Sequence, residues 1–337
     1  LNFKGSIIIA LLALAVGCDK AQETEPKTYA LLETPEGFPD MEFPEDNEYT
    51  EARWNLGKKL FFDPLMSSDY SVSCASCHDP KLAFSDDVAF SSGAENAPGT
   101  RNSPSLANVG YHPYFTREGG VPTLEMQILV PIQEHNEFNT NILTIADRLN
   151  EDDEYVQMSL NAYDRVPNPY VITRAIATFE RTLVSGNSSY DQNLRGESSL
   201  SASALRGLAL FFSDKTNCST CHAGFNFTNY TFENNGLYEE YEDVGRFRLT
   251  RDSADLSVFK VPSLRNVELT GPYMHDGSKP DLSSVIAHYN SGGYDHVNKN
   301  KLIKPLNLSE KEQDDLVAFL KSLTDKTFIK DEKFQEY

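Results

Sequence analysis

Apolar positions recur at helical spacing along most of this chain. The pattern predicts helices over Glu51–Phe62, Thr123–Val130, Ile142–Leu149, Pro169–Leu183, Ala202–Phe212, Leu282–Tyr289 and Ser309–Leu323. The last opens on Ser309-Glu310-Lys311-Glu312, a capping box ahead of an apolar stripe of Leu316, Phe319, Leu320 and Leu323. Two stretches, Ser85 to Val121 and Ala223 to Thr270, carry no such period. Both are too long for plain loops in a compact domain, so something bound must organise them. The expected class is mainly α.

The first fifty residues read differently. Ile7 to Val16 is an apolar run after Lys4, too short to span a bilayer, and it reads as a secretory signal. Leu14-Ala15-Val16-Gly17-Cys18 resembles a lipoprotein cleavage site, with lipid on Cys18; plain cleavage and an uncleaved anchor are the alternatives. Residues 1–18 are thus expected to be a signal peptide, and 19–48, rich in Glu, Pro and Thr, a tether or wrapping arm. This places the protein in the periplasm or cell envelope, touching membrane only through a lipid anchor. A formal charge of −20 argues against nucleic acid and favours a basic partner, or simply solubility.

Four of the five cysteines lie in Cys74-Ala75-Ser76-Cys77-His78 and Cys218-Ser219-Thr220-Cys221-His222. Two thiols at this spacing can add across the vinyl groups of haem, and the adjoining His then binds iron on one face. With Cys18 set aside, no pair is left for a disulfide. The surroundings repeat as well: Gly57-Lys58-Lys59-Leu60-Phe61-Phe62-Asp63 precedes the first motif and Gly207-Leu208-Ala209-Leu210-Phe211-Phe212 the second. Two fused cytochrome c-like domains are expected, over 49–188 and 189–337, each with one covalently attached haem c. The boundary falls near Ser185 to Gln192.

Further segments give the chain a family resemblance. They are Leu56 to Pro64, Arg101-Asn102-Ser103-Pro104-Ser105-Leu106, Val261-Pro262-Ser263-Leu264-Arg265-Asn266-Val267 and Gly271-Pro272-Tyr273-Met274-His275-Asp276-Gly277. From about Leu56 to Leu323 the chain resembles the bacterial dihaem cytochrome c peroxidases, in the wider family that includes MauG. The resemblance implies that the N-terminal haem reacts with hydrogen peroxide. The C-terminal haem would relay electrons from a small periplasmic donor, a cytochrome c or a cupredoxin. Members are often homodimers, but nothing in these residues marks a dimer surface. Gln127, Pro131 and Glu137 match the family's peroxide pocket, where a carboxylate can shuttle a proton and an amide can orient the oxygens. His135, close by, is expected to be a polar surface residue.

Three positions depart from the pattern. The distal His of donor-dependent members falls at Ala94, and no His lies between Asp79 and Tyr111, so the first iron is expected to keep one face open. His112 is the one substitute within reach. The axial Met of the second iron falls at Tyr289, with His288 and Met274 as rivals. A phenolate there favours ferric iron. The Trp between the haems falls at Arg117, leaving Phe115, Tyr114 or direct transfer between porphyrin edges; the sole Trp, Trp54, reads as core. The family's inter-domain calcium implies oxygen ligands from Asn102, Thr270 and Pro272. The functions to weigh are a peroxidase, a MauG-like oxidase of a protein or organic substrate, and a non-enzymatic electron carrier or sensor.

Overall fold

The computed structural model describes residues 32–336, so the apolar leader, Cys18 and the start of the acidic arm lie outside the described residues. The chain is mainly helical. The first half holds α1 (Glu51–Phe62), α2 (Leu124–Gln127), α3 (Leu129–Gln133), α4 (Ile142–Asn150), α5 (Asp153–Tyr163) and α6 (Pro169–Arg181). The second holds α7 (Ser189–Leu194), α8 (Ala202–Phe211), α9 (Cys218–Cys221), α10 (Phe247–Thr250), α11 (Leu282–Ser291) and α12 (Glu310–Lys321). Two short strands, β1 (Phe232–Glu233) and β2 (Phe259–Lys260), pair antiparallel with Phe232 opposite Lys260.

Each half is built on one helix crossing, and the two crossings match. A Cβ on Gly57 of α1 would stand 1.9 Å from the Ala175 carbonyl oxygen of α6. A Cβ on Gly207 of α8 would stand 1.8 Å from the Asp315 carbonyl oxygen of α12. Glycine is what lets the axes approach so closely. One turn further along, Phe61 meets Phe179 at 5.1 Å between ring centroids, and Phe211 meets Phe319 at 5.0 Å. Phe61, Phe179 and Phe319 are fully buried. The repeat seen around the cysteine motifs therefore extends to the packing of both cores.

Several elements differ from the sequence pattern. The helix expected over Thr123–Val130 is two short ones, α2 and α3. Pro131 has no N–H to give the Gln127 carbonyl four residues back, so the ladder resets there. Helix α5 was not expected. Its buried positions Tyr155, Ser159, Ala162 and Tyr163 mix polar and apolar side chains, which hides its stripe. Trp54 is core: it is buried on Phe179 and its Nε1–H donates to the Thr182 hydroxyl at 2.8 Å. The described part of the arm wraps both halves, with Leu32 and Met41 buried and Phe38 against Tyr111 and Phe225. Phe328 and Phe334, late in the chain, cross back and pack on Phe84 of the first core.

Candidate active site

The two cysteine motifs adopt the same local design. Each begins with a single helical turn, and the His78 and His222 N–H groups donate back to the Cys74 and Cys218 carbonyls at 3.0 and 2.9 Å. The His78 Nδ1 lies 2.9 Å from the Phe84 carbonyl oxygen, and the His222 Nδ1 lies 3.0 Å from that of Phe227. A carbonyl only accepts, so Nδ1 carries the proton in both rings and Nε2 keeps its lone pair for a metal. Phe84 and Phe227 reach these positions with φ of 59° and 49°. Burial lowers both imidazole pKa values, holding the rings neutral as iron ligands must be.

The four thiols are free of disulfides. Burial raises all of them, Cys77 to about 11, so they stand as neutral thiols. Unpaired thiols beside a histidine with an uncommitted Nε2 fit a covalently held haem in each half. Sequence reasoning missed Glu180 on α6, a buried carboxyl whose charge is felt at Cys74 and which burial pushes up to about 8.

Of the three expected pocket residues, Glu137 lies by the first motif and Pro131 shares its turn. Glu137 follows α3, and its turn is closed by the Phe138 N–H donating to the Pro131 carbonyl at 3.1 Å. Its side chain is open to solvent but flanked by protein, and desolvation, then Glu134, pushes its carboxyl up to about 7. Its charge reaches Cys74 and Cys77, so it belongs to the same neighbourhood. The Gln127 Oε1, at the end of α2, is buried with no protein partner. His135 is exposed and touches Glu134. His112 is stacked near Phe115 and edge-on to Tyr230, and burial drives its pKa down to about 3.

Beside the second motif, Tyr289 on α11 lies near Cys218 and Cys221, and burial raises its hydroxyl pKa. The Asn235 Nδ2 lies 3.3 Å from the Met274 sulfur and 3.5 Å from the Tyr289 hydroxyl, so one amide steadies two of the ligand candidates. Nothing in the sequence pointed to Asn235, which sits in an irregular stretch. His288 is already committed, its Nε2 3.1 Å from the Asn235 carbonyl oxygen, which takes its proton.

At the meeting of the halves, the Asn102 N–H donates to the His275 carbonyl at 2.9 Å and its Nδ2 to the Val88 carbonyl at 3.1 Å. Arg117 Nη2 donates to the Asn102 carbonyl at 2.6 Å and to its Oδ1 at 3.2 Å. The Thr270 hydroxyl points to the Val267 carbonyl at 3.5 Å, and Pro272 follows a cis peptide bond.

Comparison with known proteins agrees with this geometry. A family profile described as di-haem cytochrome c peroxidase matches residues 51–199, and one described as cytochrome c matches 204–324. The chain is 36% identical to the methylamine utilization protein MauG of Methylorubrum extorquens over 92% of its own length and 88% of the relative's. It is 32% identical to the cytochrome c551 peroxidase of Pseudomonas aeruginosa over 82% and 80% of the two chains. The crystal structure of a MauG-like protein associated with microbial copper homeostasis superimposes with a TM-score of 0.86 at 33% identity, covering 90% of this chain and 97% of the other.

Proposed function

This chain belongs to the di-haem cytochrome c peroxidase family, and on that premise we propose that it reduces hydrogen peroxide to water at the half that carries His78. The observation that carries this reading is the Glu137 carboxyl, poised at about 7 beside Cys74 and Cys77; the Gln127 amide oxygen, buried without a protein partner, is the second matched residue. A haem held by Cys74, Cys77 and His78 would supply the redox chemistry that reduces peroxide. Glu137 accepts the first peroxide proton and returns it to the departing oxygen, and Gln127 orients the oxygens. One peroxide, two electrons and two protons give two waters.

Electrons would enter through the half that carries His222, from a small periplasmic cytochrome c or cupredoxin, to which the charge of −20 offers a complementary surface where the donor is basic. Tyr289, steadied by Asn235, is the preferred sixth ligand of that iron. The domain limits 49–188 and 189–337, lipidation at Cys18 and a homodimer remain part of this proposal. Tyr289 also favours a second reading, a MauG-like oxidase of a protein or organic substrate, because a phenolate stabilises oxidised iron.

Replacing Glu137 with Gln tests the first reading. Peroxide cleavage should fall by about a hundredfold to ten-thousandfold with both haem potentials unchanged. Undiminished cleavage would take the acid–base role from Glu137, and a parent protein that cleaves no peroxide would leave an electron carrier as the better account.

A further inference from the structure

Asn102, the one side chain expected to bind calcium, is already engaged by a cation of the chain itself. Both Asn102 oxygens already face the guanidinium of Arg117, at 2.6 and 3.2 Å. A metal at Asn102 would meet a fixed positive charge. The arginine is also firmly placed. Its carbonyl accepts the Lys260 N–H at 2.7 Å, while Asn102 is tied to His275, so both partners bridge the two halves.

We propose that Arg117 is the cation of this junction: its guanidinium holds the Asn102 oxygens in place of calcium and joins the two halves without a metal. The surroundings suit a resident positive charge. Arg101 forks onto Asp243 at 2.6 and 2.9 Å and reaches Glu118 at 2.5 Å, while Asp243, Asp276 and Glu118 all favour the charged form of Arg117. Burial, then Arg101, pulls its pKa down to about 10, which leaves it charged at neutral pH. His275 and Lys260 also face it, and each is made less basic by it. One nitrogen, Nη2, gives both bonds to Asn102, while Nε is buried without a partner; arginine suits the task because its guanidinium keeps its charge when buried, where a lysine is more readily neutralised.

The test uses the protein carrying both haems, dialysed against EGTA or against calcium chloride. The parent should contain substoichiometric calcium by elemental analysis, and its Tm and haem spectra should be the same in both buffers. In EGTA, Arg117→Gln should lower Tm by about 5 °C, as expected for losing charged hydrogen bonds at a junction, and calcium should restore part of that loss. Arg117→Lys should keep the indifference to EGTA. One calcium per parent chain, with spectra that change on chelation, would overturn the proposal. So would an Arg117→Gln protein matching the parent in EGTA in both Tm and spectra. Because the parent measurement needs no variant, a poorly folding substitution does not shield the idea.

Discussion

The Ala94 backbone N–H donates to the Glu137 carbonyl at 2.7 Å, tying the loop at the expected distal-ligand position to the proposed acid–base residue. The loop lies close: a Cβ on Gly93 would stand 2.1 Å from the Asn136 carbonyl oxygen. Ala94 is 1% exposed and offers only a methyl group. Position 94 therefore has no side chain able to reach a metal beside Glu137. The fully oxidised protein should react with peroxide directly, and its low-temperature spin-resonance spectrum should show one high-spin and one low-spin haem. Ala94→His should diminish the high-spin signal and slow the reaction. Two low-spin signals in the parent, with no reaction before reduction, would sink the open-face reading.

Glu137 sets the expected pH dependence. Its carboxyl is raised to about 7, first by desolvation and then by Glu134, so it is protonated below that pH and ionised above it. Acting as a base, it must be ionised to take the first proton. The rate of peroxide cleavage should fall as pH drops through about 7. Glu134→Gln removes the like charge, so the limb should move to lower pH. Stopped-flow rates across pH 5 to 9 read this directly. A limb left in place by Glu137→Gln would assign it to another group.

Much of this arrangement was legible in the sequence because it is written locally. A Cys-x-x-Cys-His motif needs only its own turn, and the Ser309 capping box closes within four residues as expected. The glycines of Gly57 and Gly207 could be seen, but not the carbonyls they make room for, which lie more than a hundred residues away. Asn235 and Arg117 meet Met274, Tyr289 and Asn102 only through the tertiary fold. Asn235 sits in an aperiodic stretch, and Arg117 looked like a lost Trp rather than a gained cation. The break at Gln127 was readable in principle, since Pro131 announces it.

The second iron gives a contest between two side chains. Asn235 is within 3.5 Å of both the Met274 sulfur and the Tyr289 hydroxyl. Burial raises the Tyr289 pKa, so only a strong positive partner would ionise it. If Tyr289 is the ligand, Tyr289→Phe should change the low-spin signal and raise the potential of that haem, while Met274→Leu changes neither. The opposite pattern would transfer the role to Met274. Asn235→Ala should broaden the signal in either case, because it frees both side chains.

The matched crossings make the last prediction, and magnitudes decide its sign. Gly57→Ala gains about 1 kcal/mol of helix propensity, which alone would stabilise α1. Against that, the new Cβ would lie 1.9 Å from the Ala175 carbonyl oxygen and 3.1 Å from the Phe179 Cβ. These neighbours are backbone and branch-point atoms, so no side-chain rotation relieves the contact, and the helices must part at a cost of about 3 kcal/mol or more. The net effect is destabilising. Gly207→Ala should behave alike, with the Asp315 oxygen at 1.8 Å and the Phe319 Cβ at 2.8 Å. Leu205→Ala, at a 45% exposed position on the same α8, should stay within about 0.5 kcal/mol of the parent. Denaturation followed at each haem's absorption should report Gly57→Ala first in the half that carries His78, and Gly207→Ala first in the other. Equal stability of Gly57→Ala and the parent would mean that the α1–α6 crossing is looser than 1.9 Å implies.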